Sequence, residues 1–124
     1  MKSYSCLICL GSNFYRTANM AYARRDLQTF FPDIRFSREM ETEAIGSVFF
    51  SPFSNQVAAF TTSLSADEVR TVLKEIEQKQ GRQPGDKARG IVKIDLDLLK
   101  HDDRVLKPLD WEKAYVQEGM EELK

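Results

Sequence analysis

In the run Val92-Lys93-Ile94-Asp95-Leu96-Asp97-Leu98, two aspartates stand one residue apart. On a β-strand, side chains alternate between faces, so Lys93, Asp95 and Asp97 share one face while Val92, Ile94, Leu96 and Leu98 share the other. The two carboxylates then project side by side, roughly 7 Å apart at Cα, a placement suited to converging on a divalent cation or a pair of them. Hard cations such as Mg²⁺ take oxygen ligands, commonly one or two carboxylates completed by water and phosphate oxygens. The preceding Gly/Pro-rich loop offers Arg82, Lys87 and Arg89 to such phosphates. Alternating charged and aliphatic residues also describe a half-exposed strand, so a solvated strand face stands as the alternative. Aspartate is nonetheless depleted in strands, and two like charges on one face repel unless something positive lies between them.

Three other places carry polar chemistry. Asn55 lies inside an apolar run, and its amide offers donors and an acceptor of the kind that read a heterocycle edge; a structural, internally bonded Asn is the other reading. Glu77 lies near a helix C-terminus, where the macrodipole does not favour a carboxylate; a nearby cation, or plain solvent, accounts for it. Cys6 and Cys9 have C-x-x-C spacing, used by redox pairs and zinc half-sites. On a strand that spacing sends the thiols to opposite faces, and His101 is the only histidine. They read as two small hydrophobes.

The elements that must position these residues follow from periodicity and punctuation. Tyr4–Leu10 reads as a buried strand ended by Gly11-Ser12-Asn13, with Asn13 or Thr17 as the cap of the next helix. That helix runs from about Tyr15 to Phe30, with Ala23, Leu27, Phe30 and Phe31 as its apolar set, and Pro32 stops it. Ile34–Thr42 alternates as a strand. Glu43–Pro52 is a loop carrying the apolar Val48-Phe49-Phe50, either tucked under the domain or lining a ligand or partner surface. Phe53–Thr61 is the next strand, with Phe53, Asn55, Val57 and Ala59 on one face. Ser65-Ala66-Asp67-Glu68 is a capping box opening a helix whose stripe is Val69, Val72, Leu73 and Ile76, ended by Gly81. The Asp95/Asp97 strand follows, then a turn at His101–Asp103, a short strand at Val105-Leu106 and a terminal helix over Asp110–Leu123. The order β-α-β-β-α-β is the α+β, ferredoxin-like pattern: an antiparallel sheet with two helices packed on one face. The Asp95/Asp97 face is expected to be the open one.

Bulk numbers bound the partners. The 124 residues suffice for one domain, read as spanning 1–124. With 18 basic and 19 acidic residues the net charge is −1, which argues against a nucleic-acid or membrane-surface protein. No apolar run is long enough to span a bilayer, and the apolar N-terminal run reads as a strand rather than a signal peptide. The cytoplasm is the expected location.

Several motifs now align in order with one family. The chain resembles hydroxymethyl-dihydropterin pyrophosphokinase of folate biosynthesis in G-S-N at Gly11–Asn13 and S-x-x-x-x-T at Ser37–Thr42 followed by Gly46. It does so again in F-x-N at Phe53–Asn55, E-x-x-x-G-R at Glu77–Arg82 and D-L-D at Asp95–Asp97. The resemblance covers roughly residues 4–107. It implies a ferredoxin-like enzyme that moves the pyrophosphoryl group of ATP onto a pterin hydroxymethyl oxygen, releasing AMP. Asp95 and Asp97 would hold two Mg²⁺, with ATP as co-substrate. Thr42, Phe53 and Asn55 would contact the pterin; Glu77 and Arg82 would lie on the nucleotide side, with Arg82 also catalytic, and Arg89, which the family pattern does not supply, is expected there from the loop's charge. The Arg82–Gly90 and Glu43–Pro52 loops would close over the substrates.

The sequence departs from that pattern at Val92 and Pro84, where the family carries arginines, and at Arg89, where it carries an aromatic. Beyond residue 107 no counterpart is expected for the family's His-Pro motif, phosphate-binding arginine and second pterin aromatic. A second reading therefore stays open: a degenerate, non-catalytic member that binds nucleotide, pterin or a protein partner. The expected partners are small molecules, with no nucleic acid and no membrane, and the expected state is a monomer or weak homodimer. A ferredoxin-like RNA-binding domain is disfavoured, because its central strand would show aromatics and not two aspartates.

Overall fold

The computed structural model describes residues 2–43 and 51–124. Val48-Phe49-Phe50 and Gly46, singled out above, lie outside the described residues. Strand β1 (Tyr4–Ser12) is followed by helix α1 (Arg16–Phe30), β2 (Arg35–Phe36), β3 (Met40–Thr42), β4 (Phe53–Thr62) and α2 (Ala66–Lys79). Then come β5 (Asp95–His101), β6 (Arg104–Val105), α3 (Pro108–Trp111) and α4 (Ala114–Glu122). The strands form one sheet in the order β2-β4-β1-β5-β6, with β3 also paired to β4, and every pairing is antiparallel. This is the ferredoxin-like arrangement expected from the element order. No helix among the described residues is long and apolar enough to cross a membrane.

Strand β1 runs through the middle of the sheet, and both of its faces are buried. Ile8, Leu10 and Cys6 face Met20, Ala23 and Leu27 of α1 and Val69, Leu73 and Ile76 of α2. Ile94, Leu96 and Leu98 join the same cluster, as their alternation demands. The capping box of α2 forms as read: Ser65 Oγ accepts from Glu68 N at 3.2 Å while Ser65 N donates to Glu68 Oε1 at 2.9 Å. The thiols of Cys6 and Cys9 fall in opposite clusters, the consequence of an odd spacing on a strand.

Five local expectations are corrected. The Ile34–Thr42 strand is two short strands broken at Ser37, whose hydroxyl accepts from Val57 N at 3.0 Å and donates to Arg38 O at 2.9 Å. Neither Asn13 nor Thr17 caps α1; the residue before the helix is Tyr15, in the left-handed region at φ 42° with no side-chain cap. Phe30 is half-exposed, and Phe31, just past the helix, is the buried ring, stacked on Phe60 at 3.9 Å. Strand β5 begins only at Asp95, so Lys93 does not share the aspartates' face; its Nζ turns back to donate to Gly81 O at 2.7 Å. The terminal helix is broken into α3 and α4.

The face carrying Asp95 and Asp97 is only partly open. Val116 and Leu123 of the C-terminal segment pack on Leu7, Cys9, Val57 and Leu99. Gly119 makes this possible: a Cβ there would sit 2.6 Å from Val57 Cγ2. The C-terminal helix thus covers one half of the face and leaves the half around Gly11, Asn55 and Asp95 as a cleft.

Candidate active site

The register of three neighbouring strands builds the cleft floor. Gly11 of β1 is paired with Asn55 on one side and with Asp95 on the other, which sets Asn55 and Asp95 about 9.5 Å apart across two strand spacings. Gly11 is needed there because Asn55 lies over it: a Cβ at Gly11 would approach Asn55 Oδ1 to 3.3 Å. One row further along, Cys9 is paired with Asp97. The cleft that opens above these residues measures about 1300 Å³, and Thr42, Phe53, Asn55, Arg82, Asp95 and Asp97 all line it. Asn55 Nδ2 donates to Thr42 Oγ1 at 2.6 Å, because β3 and β4 pair Met40 with Asn55 and Thr42 with Phe53.

Glu77 is 6 % exposed. Its Oε2 accepts from Leu96 N at 2.7 Å and its Oε1 lies 2.8 Å from Arg82 Nη1. The carboxylate therefore ties the end of α2 to the first turn of β5, and Arg82 is the nearby cation that its position called for. Arg82 also reaches Asp95 Oδ1 at 3.5 Å. Asp97 is paired with Lys107 Nζ at 3.3 Å.

The charge balance at the aspartates is incomplete. Asp95 has its pKa pushed up from 3.8 to about 7. Loss of surrounding water is the largest cause, followed by the charge and hydrogen bond of Asp97 and the charge of Glu77, against which Arg82 acts in the other direction. Lys107 is raised in turn, chiefly by the charge of Asp97. Negative charge concentrated to the point of retaining a proton near neutrality is the donor chemistry a hard divalent cation exploits. Among the described residues no group of three or more His, Cys, Asp or Glu side chains converges on one point. The pair fits Mg²⁺ of the kind held by one or two carboxylates, with water and phosphate oxygens completing the shell.

The GSN motif serves the site from behind. Asn13 Nδ2 donates to Gly90 O at 2.9 Å, its Oδ1 accepts from Val92 N at 2.7 Å, and its own N–H donates to Val92 O at 3.0 Å. The end of β1 thereby clips the loop that leads into Asp95. Within that loop Asp86 is buried and accepts from Gln83 N at 2.9 Å, with Arg89 and Lys93 each at 3.3 Å. The Gln83 bond first, and these cations after it, hold the Asp86 pKa below its ordinary value. Arg89 is thus engaged with Asp86, and Lys87 joins Arg82 as a loop cation that lines the cleft.

The sequence reading did not single out the lysines of the C-terminal segment. Lys107, Lys113 and Tyr115 line the cleft from α3, α4 and their approach, so residues of this segment border the cleft even though the family's tail motifs have no expected counterpart here. Tyr115 hydrogen-bonds the Cys9 thiol, and burial raises the pKa of both groups. The available signal was the placement of a Lys-Pro pair and a Lys-x-Tyr shortly after β6, which the turn chemistry returns toward the sheet.

A search of curated proteins returned no match. Among solved structures, the chain is similar to the C-terminal domain of the MgtC protein from Mycobacterium tuberculosis, at 9 % identity, covering 77 % of this chain and 86 % of that one, with a TM-score of 0.43. It is also similar to a de novo designed protein with ferredoxin fold, at 8 % identity, covering 81 % and 87 %, with a TM-score of 0.36. The model of the family 7,8-dihydro-6-hydroxymethylpterin-pyrophosphokinase (HPPK) matches residues 7–124, and so runs past residue 107 through both C-terminal helices. The chain belongs to the 7,8-dihydro-6-hydroxymethylpterin-pyrophosphokinase family.

Proposed function

We propose that this protein transfers the pyrophosphoryl group of ATP to 6-hydroxymethyl-7,8-dihydropterin, releasing AMP. One observation carries the reading: a carboxylate pair suited to a nucleotide-bound cation and an amide–hydroxyl pair suited to a heterocycle edge flank Gly11 in one cleft. In this reaction the pterin hydroxymethyl oxygen attacks the β-phosphorus, the bond from that phosphorus to the oxygen bridging to the α-phosphate breaks, and the hydroxyl proton passes to solvent. Asp95 and Asp97 would hold the Mg²⁺, with water and phosphate oxygens completing its shell. Bound Mg²⁺ supplies charge neutralisation and Lewis acidity at the phosphoryl oxygens.

The protein's own work is positioning. Asn55 and Thr42 orient the pterin edge, and Phe53 offers its ring beside it. Arg82, anchored by Glu77, faces the transferring phosphates, and Lys87 adds a second loop cation. Water is kept from the transfer by closing the cleft, since water competes with the hydroxymethyl group for the same phosphorus.

The test is AMP release from ATP with the hydroxymethyl-dihydropterin and Mg²⁺, run beside Asp95→Ala/Asp97→Ala. AMP that requires both substrates and vanishes in the variant supports the reading. Folded protein that binds ATP or pterin and forms no AMP establishes the binding-only alternative.

A further inference from the structure

Lys107 is held at its backbone, with freedom left to its side chain. Its carbonyl accepts from Trp111 N at 2.8 Å, and Leu106 N, just before it, donates to Leu99 O at 2.8 Å. Pro108 follows and opens α3, which keeps Lys107 out of the helical region, at φ −131° and ψ 77°. The ammonium sits in the cleft, 46 % exposed, and its only ion pair among the described residues is with Asp97 at 3.3 Å. Arg82 on the other side differs: it holds Glu77 at 2.8 Å as well as Asp95 at 3.5 Å, so it keeps a carboxylate when Asp95 is taken. Lys107 has no second anchor. Asp110, the next carboxylate on its side, is already paired with Lys113 at 2.8 Å. A cation that occupies Asp97 therefore leaves an uncompensated ammonium facing the same cleft.

We propose that Lys107 is a tethered counter-ion that competes with a divalent cation for Asp97 and, once displaced, binds a phosphoryl oxygen of the nucleotide. This rests on the pyrophosphoryl-transfer reading of the cleft. Metal alone must evict Lys107, and nucleotide alone meets a carboxylate pair; together each relieves the other's cost. Binding of cation and nucleotide is then positively coupled, and the coupling passes through one side chain.

The experiment measures Mn²⁺ binding by electron paramagnetic resonance, alone and with a non-hydrolysable ATP analogue, in wild type, Lys107→Met and Lys107→Arg. Lys107→Met is expected to bind Mn²⁺ alone about two- to tenfold more tightly. At saturating Mn²⁺ it is expected to bind the analogue about tenfold more weakly. Lys107→Arg is expected to restore both values toward wild type. A purely phosphate-binding lysine would leave Mn²⁺ affinity unchanged, and a merely structural one would weaken both; either result overturns the proposal. Asp95→Asn/Asp97→Asn separates the two levels. If it abolishes Mn²⁺ binding while Lys107→Met gives no gain, the inference alone fails. If wild-type Mn²⁺ binding survives that double change, the site reading fails and the inference with it.

Discussion

Replacing Glu77 by alanine tests whether the site rests on a buried carboxylate. Glu77 is the acceptor for Leu96 N at 2.7 Å and the partner of Arg82 at 2.8 Å. Removing it leaves the Leu96 N–H without that acceptor in a buried setting, which costs about 1–3 kcal/mol. Arg82 is 42 % exposed and recovers water, so its loss of a partner costs little, ~0.5 kcal/mol. Against this, the variant no longer buries a carboxylate close to Asp95, a relief on the order of 1 kcal/mol. The net expectation is a loss of about 0.5–2.5 kcal/mol, read as a lower urea midpoint with an unchanged slope. Glu77→Gln keeps an oxygen for Leu96 N and should lose about half as much. A second readout is independent of stability. Glu77 is one of the charges that raise Asp95, and Arg82 is the one that lowers it. With Glu77 gone and Arg82 released toward Asp95, the Asp95 carboxyl should titrate below about 7, followed by carboxyl ¹³C shifts. Stability within ~0.5 kcal/mol of wild type, or an Asp95 titration that stays or rises, would refute the bridge between α2 and β5.

Three further expectations follow from the same geometry. Asp95 has a folded pKa of about 7 against 3.8 for the ordinary group, so the folded state holds more protons between those values. Its contribution to stability is fully present below pH 3.8 and is lost as pH rises through about 7; Asp95→Asn should flatten that part of a pH–stability curve, and Mn²⁺ should bind less tightly as pH falls below the same point. Asn13→Ala strands Gly90 O and Val92 N, and should cost about 2–4 kcal/mol in urea unfolding with faster amide exchange at Val92. Gly119→Ala drives a Cβ to 2.6 Å from Val57 Cγ2, so the thermal midpoint should drop by an amount equivalent to about 1–3 kcal/mol, partly recovered when Val57→Ala is added.

The sequence was most informative where the deciding interaction is local or periodic. Ile94, Leu96 and Leu98 are core because alternation puts them there, and the same alternation delivered Asp95 and Asp97 to a shared cleft. Ser65 and Glu68 cap each other across three residues. Cys6 and Cys9 part company for the same geometric reason. What was not legible depended on partners far along the chain. Asn13 looks like a helix cap in isolation, yet its amide serves Gly90 and Val92, 77 and 79 residues away. Lys93 looks like the third member of a charged face until Gly81 and Asp86 draw it back. Lys107 gives no periodic signal at all; it meets Asp97 only because the β5–β6 hairpin folds back and Pro108 turns the chain. The amphipathic C-terminal segment announced a helix but not the sheet face it would cover.

The central position of β1 has a consequence for how the protein is made. Its partners β4 and β5 begin at Phe53 and Asp95, so the earliest strand of this sheet waits for β5 before both of its edges are paired. At ordinary ribosomal rates, the 82 positions between Ser12 and Asp95 take about 4–16 s to add. During that time one edge of β1 lacks its neighbour, and Cys6, Ile8, Cys9 and Leu10 have incomplete cover. An unpaired apolar strand is a template for joining another chain. Chaperone engagement of the growing polypeptide should therefore centre on this first strand and end once Asp95–His101 has been added.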